Sequence, residues 1–222
     1  MSCKTPTLIA SATLASILAT RAVAADPGFY LSATVGQAEE DPESIGMNIA
    51  FGIPPSGIVH IEPDAVDADG SDTAWSVAVG YRVNPYLAAE VEYIDFGTTD
   101  ITEDYTIPPT PPLPSEFTRT YASKVRGPAL SVLGSLPVGK SFDVFLRGGV
   151  LFADRDFEFP NSIGLDDTFG STVWLAGAGA SWSFANRWAI RAEYQRTGTL
   201  EETFLAGETE LERMSLSVLF RL

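Results

Sequence analysis

Side chains suited to catalysis are sparse in this chain of 222 residues. The only histidine is His60, and no motif around it resembles the histidine and serine pairs that lipid-cleaving enzymes use. The only cysteine, Cys3, falls in an N-terminal segment that we expect to be removed. We therefore expect no enzymatic activity and no cofactor.

One acidic segment partly resembles a calcium-binding loop. Asp67, Asp69 and Asp72 alternate around Gly70, as oxygen ligands do in such loops. The pattern has Ala65 where its first acid should stand and Ser76 where its final glutamate should stand. These three aspartates are a weak candidate metal site.

Other charged residues recur at every second position inside otherwise apolar runs. Glu90 and Glu92 form one such pair, Arg191 and Glu193 form another, and Arg147 stands in a third run. A period of two places alternate residues on the same face of a β-strand. The charges therefore require strands with one apolar face and one polar face.

Eight such strands are predicted, and three short connections rich in proline, glycine or asparagine join them in pairs. An apparent change of the apolar phase from odd to even positions predicts a bulge at Gly127–Pro128. The predicted strands cover residues 29–37, 73–83, 86–97, 118–136, 141–157, 171–184, 187–198 and 209–222.

The apolar face favours a lipid environment over a soluble sandwich. Aromatic residues stand near the strand ends, which is typical of the girdles that transmembrane barrels place at the membrane interfaces. Only a closed barrel leaves no unpaired strand edge in hydrocarbon. We predict an all-β, eight-stranded antiparallel up-and-down transmembrane barrel. Its predicted girdle consists of Trp75, Tyr81, Phe142, Trp182, Trp188 and Phe220.

The polar face would then line a narrow lumen. An eight-stranded barrel is just wide enough to be filled by side chains, and unpaired buried charges are costly, so opposite charges should pair there. The predicted result is a plug of ion pairs, and the alternative is a narrow porin-like channel for small solutes. The predicted lumen charge layer is Glu90, Glu92, Lys124, Arg126, Arg147, Arg191 and Glu193, with Arg82, Asp143 and Arg221 on the same face.

The N-terminal 25 residues carry Lys4, an apolar run and the small residues Val23-Ala24-Ala25, so residues 1–25 are predicted to be a cleaved signal peptide. Residues 26–222 form the predicted barrel domain, 222 − 25 = 197 residues. With 12 basic and 29 acidic residues after that cleavage, its net charge is 12 − 29 = −17, which argues against nucleic-acid binding. The long connections hold 24 of the 29 acids if Asp95 is counted with them.

The segment Gly80-Tyr81-Arg82-Val83-Asn84-Pro85-Tyr86-Leu87-Ala88-Ala89-Glu90, together with Tyr93-Ile94-Asp95-Phe96-Gly97, resembles the second hairpin of the OmpA-like (OmpA/OmpX-type) small outer-membrane barrels. The start Gly28-Phe29-Tyr30-Leu31, the strand Arg191-Ala192-Glu193-Tyr194 and the ending Ser217–Leu222 are similar to that family too. The resemblance implies recognition by the barrel-assembly machinery, although the chain ends in Leu222 and not in an aromatic residue. Nothing follows the last strand, so we expect no peptidoglycan-binding domain.

The expected location is the cell outer membrane, with both termini in the periplasm and the acidic loops outside. We expect a structural or surface-interaction protein in contact with outer-membrane lipid and lipopolysaccharide, the latter through bridging divalent cations.

Overall fold

A computed structural model describes residues 27–42, 47–51, 57–61, 64–69, 71–106, 116–158, 167–200 and 209–222. The predicted signal peptide therefore lies outside the described residues, as do the side chains of Asp67, Asp69, Asp72 and His60. No helix long and apolar enough to cross a membrane occurs in the described part of the chain. The strands are β1 (Gly28–Pro42), β2 (Met47–Phe51), β3 (Gly57–Ile61), β4 (Ala65–Asp69), β5 (Ser71–Asn84), β6 (Leu87–Thr106), β7 (Glu116–Val138), β8 (Phe142–Glu158), β9 (Asp167–Ser183), β10 (Trp188–Thr197) and β11 (Thr209–Arg221).

Eight of these strands close into an antiparallel barrel, which confirms the predicted fold class. The order around the barrel is β1, β5, β6, β7, β8, β9, β10 and β11, and the ring closes where β11 pairs with β1. Strand β6 pairs directly with β7, so every barrel strand has a hydrogen-bonded neighbour on both sides. Strand β4 pairs with β6 beyond the reach of β5, while β2 and β3 form a separate hairpin.

The two ends of the barrel differ in their connections. Residues 85–86, 139–141 and 184–187 make short turns at one end, which we call the short-turn end. Gly139 has a φ of 79° in the second turn, a backbone conformation that glycine adopts without steric cost. The first and last barrel strands meet at this end, because the Leu222 amide donates a 3.0 Å hydrogen bond to the Phe29 carbonyl. The opposite end, where the barrel strands have long connections, is the long-loop end.

A belt of exposed apolar side chains surrounds the barrel next to the short-turn end. Phe142 and Phe152 both lie exposed on β8, ten residues apart. Ten residues extend about 33 Å along a strand, or about 25 Å at the usual strand tilt, which is the height of a lipid-facing band. At the short-turn rim the aromatic rings pair across strands, as Phe142 does with Trp182 at 6.1 Å and Trp188 with Phe220 at 4.8 Å.

The predicted girdle residues divide between the two rims. Tyr81, Phe142, Trp182, Trp188 and Phe220 lie beside the short turns, whereas Trp75 stands nearer the long-loop end, 6.1 Å from Tyr93. The short-turn rim therefore carries most of the aromatic girdle that the sequence indicated.

Beyond the lipid-facing belt the outward face of the strands becomes polar, and large apolar side chains turn toward the interior. On β6, the buried side chains before Phe96 are Ala88, Glu90, Glu92, Ile94 and Asp95, and after it they are Thr99, Ile101, Glu103 and Tyr105. The exposed positions after the bulge are polar, including Asp100 and Asp104. The strands thus continue past the bilayer as a barrel whose exterior is polar and whose interior combines large apolar side chains with buried polar groups.

The predicted bulge at Gly127–Pro128 is wrong. The register between β7 and β8 is unbroken there, and odd-numbered residues of β7 face inward on both sides of the proline. The bulge lies instead on β6, between Asp95 and Thr98, where Gly97 has a φ of 89°. The apolar phase of β7 reverses because its surroundings change from lipid to water, while the strand itself keeps its alternation.

Candidate functional site

Arg147 lies at the centre of the barrel and joins three carboxylates from two other strands. Its Nη2 donates to Glu90 Oε2 at 2.6 Å, its Nη1 to Glu92 Oε2 at 2.9 Å, and its Nε to Glu193 Oε1 at 2.6 Å. A further 3.1 Å bond joins Nη2 to Glu193 Oε2. The guanidinium is buried, and its Nε, Nη1 and Nη2 donors each reach a carboxylate.

Two more arginines complete this layer. Arg191 Nη1 donates to Glu90 Oε1 at 2.8 Å, and Arg213 Nη2 donates to Glu92 Oε1 at 2.9 Å. Three carboxylates (Glu90, Glu92 and Glu193) therefore face three guanidiniums (Arg147, Arg191 and Arg213), and the formal charges cancel, 3 − 3 = 0. We call these six residues the charge layer.

Neutral hydroxyl groups fill the remaining acceptor sites of the layer. The Tyr30 hydroxyl donates to Glu90 Oε1 at 2.5 Å, and the Ser76 hydroxyl donates to Glu92 Oε1 at 2.5 Å. The Arg191 guanidinium also lies over the ring of Phe145, 5.0 Å from its centroid. A buried carboxylate without such partners would cost several kcal/mol, roughly, in free energy.

Small residues on neighbouring strands provide the room that these long side chains need. A Cβ on Gly80 would overlap the ring of Tyr30, and a Cβ on Gly179 would overlap the ring of Phe145. A Cβ on Gly177 would come within 3.0 Å of Glu193 Oε1. Glycine at these inward positions of β5 and β9 therefore lets the larger side chains of β1, β8 and β10 cross the lumen.

Apolar clusters lie on both sides of the charge layer. Toward the short-turn end the buried cluster contains Tyr30, Ala88, Leu133, Phe145, Ala189 and Leu219. The cluster toward the long-loop end contains Ala38, Ala74, Ile94, Phe96, Val125, Ala129, Leu151, Ala153, Val173, Leu175, Leu200 and Leu211. Ions crossing the barrel would have to pass through packed side chains in both regions.

The charge layer is not saturated with hydrogen bonds. Among the described residues, Arg213 Nε and Nη1, Arg191 Nε and Gln195 Oε1 are buried without a hydrogen-bond partner. Gln195 and Arg213 stand directly opposite each other on β10 and β11. Because unpaired buried donors and acceptors are costly, these groups offset part of the stability that the ion pairs of the layer contribute.

A second polar network occupies the interior of the barrel extension at the long-loop end. Arg155 forms an ion pair with Glu40 and donates a 2.7 Å hydrogen bond to Ser123. Nearby, the fully buried Glu103 accepts hydrogen bonds from Tyr105 at 2.7 Å and from Tyr121 at 3.2 Å. Burial, together with the neighbouring Glu103 carboxylate, raises the pKa of both phenols above the ordinary value near 10.

Two residues assigned to the lumen from the sequence lie elsewhere. Lys124 and Arg126 face outward on β7, where Lys124 pairs with Asp95 at 3.4 Å and Arg126 pairs with Asp156 at 2.8 Å. Their side chains are 38% and 43% exposed, in contrast to 2% for Arg147. The prediction failed because it took the odd-numbered apolar residues of β7 to face lipid, whereas Tyr121 and Val125 are buried inside the extension.

The sequence prediction also missed buried charged residues, among them Arg213, Arg155, Glu40 and Glu103. Arg213 has the largest fully buried side chain in the described part of the chain, and its even-numbered neighbours Met214 and Leu216 are exposed, so strand phase alone could have found it. Glu40 and Glu103 were placed in loops because their strands were predicted to end at residues 37 and 97, whereas β1 runs to Pro42 and β6 to Thr106. Arg155 was counted with the loop that follows, although the predicted strand reached residue 157. The structure brings together Glu90, Glu92, Arg147, Arg191 and Glu193, as their positions on the polar faces of the strands indicated.

No group of three or more residues suited to metal binding occurs among the described side chains. The candidate site at Asp67, Asp69 and Asp72 remains a prediction. The backbone places Asp67 and Asp69 in β4 and Asp72 at the beginning of β5.

Comparisons with known proteins agree with this architecture. A family model described as the OmpA-like transmembrane domain matches residues 24–222, which confirms the resemblance seen in the sequence. No curated protein sequence matches the chain significantly. Among solved structures, Neisserial surface protein A (NspA) superposes with a TM-score of 0.56 at 14% identity, covering 88% of this chain and 97% of that one.

Two further structures extend the comparison. The outer membrane protein OprG from Pseudomonas aeruginosa has a TM-score of 0.50 at 12% identity and covers 88% of this chain and 98% of its own. The outer membrane protease OmpT from Escherichia coli has a TM-score of 0.46 at 8% identity over 89% of this chain and 97% of its own, which is too low to support a functional argument. The first two likenesses support the fold alone.

Proposed function

This chain belongs to the OmpA-like transmembrane domain family of outer-membrane barrels, and we propose that it serves there as a closed structural barrel that presents an acidic surface for interaction. The observation that carries the proposal is the neutral charge layer between two apolar clusters. A water-filled pore requires a continuous polar path, and here each carboxylate of the charge layer pairs with an arginine across the lumen. The short-turn end, where the first and last barrel strands meet, would face the periplasm.

The long-loop end supports the interaction part of the proposal. The stretches that the sequence assigned to long connections, together with Asp95, hold 24 of the 29 acidic residues of the chain. In the structure several of these acids lie on the strand extensions, where Asp100 and Asp104 face outward while Glu40 and Glu103 are buried. Carboxylates at this density attract divalent cations, which can bridge them to the phosphates of lipopolysaccharide. Vesicles containing lipopolysaccharide should therefore bind the purified protein with Ca²⁺ present and release it when a chelator is added.

Single-channel recording tests the closed lumen. The refolded protein in a planar lipid bilayer should show conductance near zero. The variant Arg147→Ala with Phe145→Ala and Leu151→Ala should conduct, because it removes the centre of the charge layer and a side chain from each apolar cluster. The matched control carries Leu146→Ala, Val144→Ala and Arg126→Ala, which all face outward, and it should remain closed.

Steady conductance of the unmodified protein would contradict the proposal. The charged residues would then line a hydrated path, and a narrow channel for small solutes would replace the structural role.

A further inference from the structure

An open cavity of about 670 Å³ occupies the mouth of the barrel at the short-turn end. Four basic residues line it, namely Arg82, Lys140, Arg187 and Arg221. Asp143 is the one acidic side chain among the described residues that line the cavity, so the lining side chains carry a net charge of 4 − 1 = +3. The volume falls within the range of about 300–1,000 Å³ that is usual for small-molecule sites.

The arginines of this cavity have few partners compared with those of the charge layer. Arg221 Nη2 donates one 2.8 Å hydrogen bond, to the Ser183 hydroxyl. Arg82 makes a 3.4 Å hydrogen bond to the Pro85 carbonyl and lies 4.0 Å from Asp143. Arg147, by contrast, donates four hydrogen bonds to three carboxylates. Several guanidinium donors at the mouth are therefore available to a ligand.

The cavity is also positively charged in a protein that is otherwise strongly acidic. The protein has a formal net charge of −15, and its acidic residues concentrate at the other end. Cationic side chains that converge on a concave surface with too few carboxylate partners repel one another, and an anion would relieve this repulsion. Arginine forks match the geometry of phosphate oxygens, and lysine adds a mobile point charge.

We propose that this mouth is a binding site for the phosphate group of a small anionic molecule. The phosphate can come from a soluble phosphorylated compound or from the headgroup of an anionic phospholipid at the surrounding membrane surface. The site lies outside the apolar cluster of Tyr30, Leu133 and Phe145, which separates it from the charge layer. It therefore does not depend on whether the lumen is closed, and it is distinct from the acidic loops.

Isothermal titration calorimetry on the whole protein in a zwitterionic detergent tests the site. One titration uses pyrophosphate, and a second uses a water-soluble, short-chain phosphatidylglycerol. At least one of the two should bind, and added salt should weaken its binding because the cations are close to water. The double variant Lys140→Gln/Arg187→Gln removes two exposed charges of the cavity, and we expect binding about tenfold weaker or more.

The matched control is Lys124→Gln/Arg196→Gln, which removes the same number of charges from the outer surface near the long-loop end. It should bind as the unmodified protein does, and far-ultraviolet circular dichroism should show all three proteins folded. A further variant, Arg82→Gln/Arg221→Gln, should abolish binding. Failure of both probes to bind, or equal weakening by the control variant, would overturn the proposal. Binding of only one probe identifies the source of the phosphate.

Discussion

Arg213 Nη2 lies 2.9 Å from Glu92 Oε1, although 121 residues separate them in the chain. Arg213 is on β11, the last strand in chain order, and Glu92 is on β6. These strands are not neighbours in the sheet, so the pair spans the lumen. The ion pairs of the charge layer therefore join strands that the backbone hydrogen bonds do not join, and they stabilise the closed ring.

The charge layer should respond strongly to the loss of Arg147. Arg147→Met leaves Glu90, Glu92 and Glu193 without their shared partner, so the free energy of unfolding should fall by about 3–5 kcal/mol. Urea unfolding in lipid vesicles would measure this. Combining Arg147→Met with Glu193→Gln should recover part of the loss, which a double-mutant cycle would reveal. Arg126→Met, which breaks an exposed ion pair, should cost less than about 1 kcal/mol.

Lipid-facing positions should reject charge, and positions beyond the bulge should accept it. Val91 is exposed on β6 at a lipid-facing level, and Val91→Arg should cost about 2–4 kcal/mol. Val79→Arg and Val218→Arg should behave alike. Thr102→Arg lies on the same strand beyond Gly97 and should have little effect, because its side chain is in water. A loss of similar size at Thr102 would show that the bilayer extends further along the strands than the bulge.

The stability of the barrel should depend on the absence of a side chain at Gly80. Gly80→Ala would overlap the Tyr30 ring and disturb the hydrogen bond from Tyr30 to Glu90, at a cost of about 1–3 kcal/mol. Gly148 faces outward, and a Cβ added there would have no neighbouring atom within 4 Å, so Gly148→Ala is the control and should leave stability unchanged. Thermal unfolding in detergent compares the two. Equal stability of both variants would contradict the packing around Tyr30.

The two tyrosines that bind Glu103 should make the barrel sensitive to alkali. Their pKa values are raised in the folded protein, so the unfolded chain releases these protons first as the pH rises past about 10. The stability contributed by the phenols is fully present below about pH 10, and it declines as the pH rises from there toward the folded-state pKa. Tyrosinate absorbance and unfolding measured between roughly pH 9 and 12 would follow this.

The variant Tyr105→Phe/Tyr121→Phe is the control for that titration. It removes the two raised groups and should show a smaller loss of stability over the same alkaline range. An unchanged slope would mean that other groups cause the alkaline sensitivity.

The proposed orientation is tested by epitope insertion. A protease-cleavable tag at residue 110 should be accessible on intact cells, because it extends the connection between β6 and β7 at the long-loop end. A tag at Asn186, in the turn between β9 and β10, should become accessible only after the outer membrane is permeabilised. The reverse pattern would place the short-turn end outside.

The sequence predicted the barrel well because lipid imposes a simple rule on each strand. Within the bilayer, outward residues such as Val79 must be apolar, and inward residues such as Ser76 are free to be small or polar. The period-two pattern therefore located the eight barrel strands and five of the six residues of the charge layer. Strand ends were less accurate, since β6 runs to Thr106 although it was predicted to end at residue 97.

Those errors have one physical origin. Where the strands leave the membrane, large apolar residues such as Tyr121 and Val125 turn inward and most charged residues turn outward, so the apolar positions of the alternation no longer mark the outer face. Lys124 and Arg126 lie beyond that boundary and were assigned to the wrong face. The position of the bulge at Phe96–Gly97 cannot be read from β7 alone, because its evidence is the pairing between two strands.

The extension of the strands also determines how far the loops stand from the lipid. Strand β6 continues for nine residues after Gly97, from Thr98 to Thr106. That length is about 30 Å along the strand and roughly 20 Å in height at the usual tilt. One layer of lipid headgroups is only about 5–8 Å thick, so the strands rise well above it. A large molecule approaching this end would contact the barrel extension before it reached the bilayer. Cleavage of the connecting loops would therefore leave the barrel extension folded.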